Sequence, residues 1–273
     1  MPLHTRLIAL VLPLLMAGAA RAAEPEYTLA VSEGTSGGLD HARATAKYAG
    51  LAEALGRALK GKVTVVFARE FALLADGLKA KRFDLALARP SDYPARAMRD
   101  NGYRFVASAK PEGQCLIVTR KDSPLQNLEE AKGKRWVLPE QVSYMSRFCN
   151  AELRDRGIPL KAEKVQFVRE QGAVQFYLEH KLADVGGVAS YSGVARSLDK
   201  AGLRVLHRSV MQPYSPMVAG PRLTAEQLQA VQAELRAMDQ ADAGRGVLKT
   251  LGIQGFDTGT GPRVLSLLEW LGS

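Results

Sequence analysis

Short apolar runs, each too brief for a helix, alternate along this chain with longer segments whose apolar residues recur at helical spacing. That alternation is the strongest constraint on the fold. Strand and helix in turn close into a mostly parallel α/β sheet with helices packed on its faces. The run Leu85–Ala88, bounded by Asp84 and by Arg89-Pro90, reads as a strand buried on both faces. Ser91 or Asp92 can cap the helix that follows, and Pro94 suits its first turn. A strand that ends in polar residues and opens into a helix N-terminus is where open α/β sheets bind ligands, although many such turns are only connections.

The same pattern places strands at Tyr27–Val31, Val63–Phe67 and Tyr103–Ala109, and then at Cys115–Thr119, Arg135–Leu138, Val165–Val168, Ala183–Val188 and Arg204–His207. A helix after the first strand carries Tyr48, Leu51, Leu55 and Leu59 on one face. Another runs from about Tyr144 to Arg156 with Gly157 beyond it, and Thr224 with Gln227 forms a capping box. The pattern breaks at Lys110-Pro111-Glu112-Gly113-Gln114 and again over His207–Ser215. These breaks predict two lobes, the second inserted in the first: 23–109 with 210–273, and 110–209. A cleft between them would close on a ligand by hinge motion.

The first 22 residues carry a basic start, the apolar stretch LIALVLPLLMAGAA and the small-x-small site Ala20-Arg21-Ala22. This is the pattern of a secretory signal peptide, so a soluble protein of an oxidising compartment is expected. The formal charge of +9 is spread along the chain without a Lys/Arg block, which argues against a nucleic-acid partner. Cys115 and Cys149 are the only cysteines. They read as a disulfide or, alternatively, as a pair of soft ligands for a thiophilic species.

Catalytic patterns are missing. There is no H-E-x-x-H, no phosphate-binding G-x-x-x-x-G-K-[ST] and no dinucleotide fingerprint. EGTSGG at Glu33–Gly38 is glycine-rich without pyrophosphate spacing. His41, His180 and His207 stand apart from one another in sequence, each suited to a surface or core position. The expectation is a binding protein that is not an enzyme, with no cofactor and no metal.

The order of elements, with FDLALARPSDY, CLIVTRKDSPLQNLEEAKGKRW and FYLEHKLADV, resembles the periplasmic phosphate/phosphite/phosphonate substrate-binding proteins of ABC transporters over nearly the whole chain after residue 22. The resemblance implies a two-lobed type-2 periplasmic-binding fold. It implies a monomer in the periplasm that captures a small anionic ligand for a membrane permease. The alternative within the same fold is a sensor that docks on a membrane sensor kinase, for which a thiophilic oxyanion such as arsenite is one ligand. In the family a Ser-Thr-Ser-Gly turn holds the phosphonate oxygens. Here only Ser143 matches it, with Val142 and Tyr144 replacing a hydroxyl and the glycine. A family histidine falls at Gln171, a family aromatic at Phe71, and family carboxylates at Tyr191 and near Ser215. Losing those carboxylates argues against an aminoalkyl-phosphonate.

What remains is a different polar set. Arg89 can fork onto an oxyanion, followed by Ser91 and Tyr93. Ser143 faces it from a helix start, with Phe71, Tyr144, Gln171, Tyr191, Tyr214 and Ser215 shaping the walls. The competing role for Arg89 is an ion pair with Glu70 or Asp92.

Overall fold

The computed structural model describes residues 24–36 and 38–272; the expected signal peptide, residues 1–22, lies outside them. Strands β1 (Glu26–Ser32), β2 (Lys62–Phe67), β3 (Leu85–Ala88), β4 (Arg104–Gly113), β10 (Gln212–Ala219) and β11 (Gly255–Asp257) form one sheet, ordered β11-β4-β10-β3-β1-β2. Strands β5 (Cys115–Arg120), β6 (Arg135–Pro139), β7 (Lys164–Val168), β8 (Val185–Ala189) and β9 (Leu203–Arg208) form the other, ordered β7-β6-β8-β5-β9. Each sheet centres one lobe, and the second lobe is inserted in the first.

The sheets are mixed, which corrects the expectation of a mostly parallel one. Strands β1, β2 and β3 pair in parallel, as do β6, β7 and β8. Strand β10 runs antiparallel to β3 and β4, and β5 runs antiparallel to β8 and β9. The reason is the double crossing. One strand leaves the first lobe and another re-enters it, so the two must run in opposite directions. Strand β4 also continues through the expected break at Lys110. Lys110 pairs with Gly255 and Gly113 with Gln212, so the chain passes between sheets at Gln114 and returns through 209–211.

Helix α1 (His41–Leu59) starts where the Asp40 carboxylate accepts from the Arg43 N–H, and it buries Tyr48, Leu51, Leu55 and Leu59. That stripe joins α7 (Ala225–Ala237) and α8 (Asp242–Leu251) over one face of the first sheet. Helices α2 (Phe71–Lys79) and α3 (Asp92–Asp100) cover the other face. In the second lobe, α4 (Tyr144–Asp155) and α5 (Gln171–Glu179) lie on opposite faces, and α6 (Gly193–Ser197) follows β8. The C-terminal helix α9 (Gly261–Leu271) does not stay with the first lobe. Leu267 and Leu271 enter the second lobe's core, while Val264 and Leu268 pack on Ala95 of α3. Cys115 and Cys149 are joined in a disulfide that ties β5 to α4.

Candidate functional site

Strands β1 and β3 pair in parallel so that Ser32 lies opposite Ala88, and the Arg89 N–H donates to the Ser32 carbonyl at 2.9 Å. The two residues just past this register, Glu33 and Arg89, are therefore neighbours at the carboxyl edge of the sheet. Their side chains meet with Arg89 Nη1 2.8 Å from Glu33 Oε2. Helix α1 brings Lys47 Nζ to 2.6 Å from Glu33 Oε1, and the Tyr48 hydroxyl donates to the same oxygen at 2.7 Å. Glu33 is 2% exposed and Arg89 9%. The expected partners of Arg89, Glu70 and Asp92, are not the ones it takes. Asp92 pairs with Arg96 and Arg147, and Glu70 precedes α2 at the outer part of the cleft.

Burial pushes the Glu33 carboxyl up, but Arg89 and Lys47 outweigh it and hold the group below the usual carboxylate range. Burial, then Arg89, lowers the Lys47 ammonium against the pull of Glu33. Lys47 is thus the more easily neutralised of the two cations. Two tyrosines close over the guanidinium. Tyr191 follows β8, Tyr214 lies on β10, and their rings stack at 3.9 Å. The Arg89 guanidinium carbon is 5.7 and 5.9 Å from the two ring centroids. Gly113 permits this approach, since a Cβ there would meet Tyr191 Cε1 at 2.9 Å. Burial carries the Tyr214 hydroxyl up to about 12 and also raises that of Tyr191 well above its ordinary value, so both stay neutral.

A small inner cavity is lined by Glu33, Phe71, Arg89, Tyr144, Gln171 and Tyr191, among others. The structure therefore brings five residues expected from sequence to one cavity, two from the first lobe and three from the second. It uses the rest otherwise. The Ser91 hydroxyl donates to the Pro213 carbonyl at 3.2 Å and lies beside the Tyr144 hydroxyl. Tyr93 stacks on Phe71 at 5.9 Å, and the Arg96 guanidinium carbon lies 5.0 Å from the Tyr93 ring centroid. Ser143 accepts from the Ser146 N–H and caps α4. Gln171 lines the cavity and also has its carbonyl oxygen engaged, accepting from the Ala189 N–H at 2.7 Å. Ser215 is buried with φ of +45° where β10 loses its regular register. An outer, larger cavity continues from the inner one past Glu33 and Phe71 to Arg69, Glu70, Glu140, Arg169 and Glu170.

The lobes meet across this cleft. Ser91 and Asp92 of the first lobe engage Tyr144 and Arg147 of the second, Asp92 Oδ2 accepting from Arg147 Nη1 at 2.7 Å. Sequence reading missed Glu33 and Lys47. Glu33 stands in the turn after the first strand, and Lys47 sits one residue before the core stripe of α1. The available signal was that two adjacent parallel strands end in charges of opposite sign.

A family model described as "ABC transporter, phosphonate, periplasmic substrate-binding protein" matches residues 38–261. No curated protein matches the sequence. Among solved structures, PhnD1 from Prochlorococcus marinus in complex with methylphosphonate is similar, with a TM-score of 0.74 at 12% identity over 90% of this chain and 96% of that one. A Xanthomonas citri protein bound to ATP gives 0.72 at 15% identity, covering 90% and 97%. A binding protein component of an ABC phosphonate transporter from Pseudomonas aeruginosa gives 0.68 at 16%, covering 91% and 86%. At these identities the likeness speaks for the fold.

Proposed function

We propose, for a chain that belongs to the periplasmic phosphonate-binding proteins of ABC transporters, that it captures a small phosphorus oxyanion around Arg89 and delivers it to the permease of an importer. The family is one of substrate-binding proteins, not of enzymes. The observation that carries the reading is a pair of cations at the carboxyl edge of β1 and β3, the buried Arg89, which lines the inner cavity, and the half-buried Lys47 beside it. Arg89 supplies planar donors that fork onto an oxyanion, and the low-dielectric walls strengthen them. Contacts from both lobes, Ser91 with Tyr144 and Asp92 with Arg147, accompany closure over the site.

The methylphosphonate complex of the Prochlorococcus protein supports phosphonate as the ligand class. The signal-peptide pattern in residues 1–22 supports a periplasmic location. With both cysteines in the disulfide, no described thiol is left to hold a thiophilic oxyanion, so that ligand class is dropped. The test is a thermal-shift screen with phosphate, phosphite, methylphosphonate, methanesulfonate and acetate. Stabilisation by a phosphorus oxyanion in wild type, and not in Arg89→Ala, is the expected result. If no anion in the panel raises the melting temperature of wild type, the reading fails.

A further inference from the structure

An anion site usually gathers donors and cations, yet this one contains a carboxylate. Glu33 is 2% exposed, lines both the inner and the outer cavity, and is held by Arg89, Lys47 and Tyr48. An oxyanion that reaches Arg89 comes against Glu33 on the same guanidinium. From this we infer that Glu33 makes the site select oxyanions that still carry a proton, the monoanions of phosphonate, phosphite or phosphate, against fully ionised ones such as sulfonate. The inference rests on the oxyanion reading above and names its ligand class more closely.

Two facts drive it. The first is donor–acceptor matching. An ionised carboxylate only accepts hydrogen bonds. A ligand oxygen with a proton can donate to it, whereas a bare oxygen meets like charge in a desolvated site. Glu33 stays ionised because its two cations outweigh its burial. The second is charge count. Among the described residues, the titratable groups that face Glu33 include Lys47 and Tyr48 from α1, Arg89 after β3, Tyr214 from β10 and Tyr191 after β8. The tyrosines are neutral, so Arg89 and Lys47 against Glu33 leave one net positive charge, which a monoanion balances and a dianion exceeds. Arg196 of α6 adds positive potential at Lys47 and Tyr214. The outer cavity offsets it, since apart from Glu33 it carries Glu70, Glu140 and Glu170 against Arg69 and Arg169.

Methylphosphonate and methanesulfonate test this, because they share size and shape and differ in the proton. Titration calorimetry on wild type, below the second ionisation of methylphosphonate, should show it bound about a hundredfold tighter than methanesulfonate. As pH rises above that ionisation, methylphosphonate affinity should fall about tenfold per unit, while the sulfonate, which does not titrate there, shows no matching fall. Glu33→Gln, whose amide also donates, should bring the two ligands within about threefold of each other. Equal wild-type affinity for the two ligands, or methylphosphonate affinity that holds or rises with pH, overturns the inference. These arms need no variant, so they decide even if Glu33→Gln folds poorly. Failure of the oxyanion reading itself looks different: neither ligand, nor phosphite or phosphate, binds wild type at any pH, and both proposals fall.

Discussion

Replacing Arg89 by methionine probes the charge cluster without any ligand. The side chain keeps most of its apolar length and loses the guanidinium. Glu33 then remains 2% exposed with one of its two cations gone. Removing one member of a buried pair costs about 3–5 kcal/mol, because the other charge stays desolvated. Lys47 at 2.6 Å and Tyr48 at 2.7 Å still hold Glu33 Oε1, which puts the loss at the low end, about 3 kcal/mol. For a chain of this size that corresponds to a melting temperature lower by roughly 6–12 °C. Glu33→Gln in the same background removes the stranded carboxylate, so the double variant should be less destabilised than the two singles added together, by about 1.5 kcal/mol or more. A pH series supplies a second signature. The depressed Glu33 carboxyl contributes stability that is fully present above its unfolded pKa and is lost as pH falls through its lower folded value. Arg89→Met should shrink that loss. Urea unfolding followed by circular dichroism measures both. A single variant as stable as wild type, or singles that simply add in the double, would refute the reasoning.

Asp92 predicts the opposite slope. Burial raises its carboxyl against Arg96 and Arg147, so wild type should lose stability relative to Asp92→Asn as pH rises from the ordinary aspartate range toward the raised folded value; a flat difference between the two contradicts this. The disulfide closes a segment of 34 residues, and Cys115→Ala with Cys149→Ala should cost about 4 kcal/mol in urea unfolding. Titration of the wild-type protein with a thiol reagent should find no free thiol before reduction. Gly187→Ala should cost about 1–3 kcal/mol by overpacking, because its Cβ would meet Cys149 Sγ and Leu138 Cδ2, each at 2.9 Å; unchanged stability would mean that these neighbours yield freely.

Elements with their own periodic signal were legible from sequence. The stripe Tyr48, Leu51, Leu55 and Leu59 is buried along α1, and the Thr224–Gln227 capping box opens α7. Features set by long-range pairing were not. Strand direction depends on which segments become neighbours, so the antiparallel placement of β10 between β3 and β4 left no local trace. Pro111 read as a break, yet it continues β4 where the pairing with β10 is irregular and β11 has reached its last partner at Lys110. In the cleft, Arg89 was legible as a charge at a strand end. Its partner was not, because Glu33 is 56 residues away and meets it only through the Ser32–Ala88 register. Ser91, Ser143 and Gln171 have side chains that suit ligand contact, but the structure engages them with Pro213, Ser146 and Ala189. The same chemistry serves a backbone group as readily as a ligand.

The central claim is that Arg89 is the anchor of an oxyanion site between two lobes. Isothermal titration of methylphosphonate into wild type and Arg89→Ala, at a pH where the ligand is a monoanion, tests it most directly. Truncating one partner of a buried charge pair costs about 2–5 kcal/mol, so affinity should fall by at least about thirtyfold while circular dichroism shows the variant still folded. A folded Arg89→Ala that binds methylphosphonate as tightly as wild type would contradict the claim.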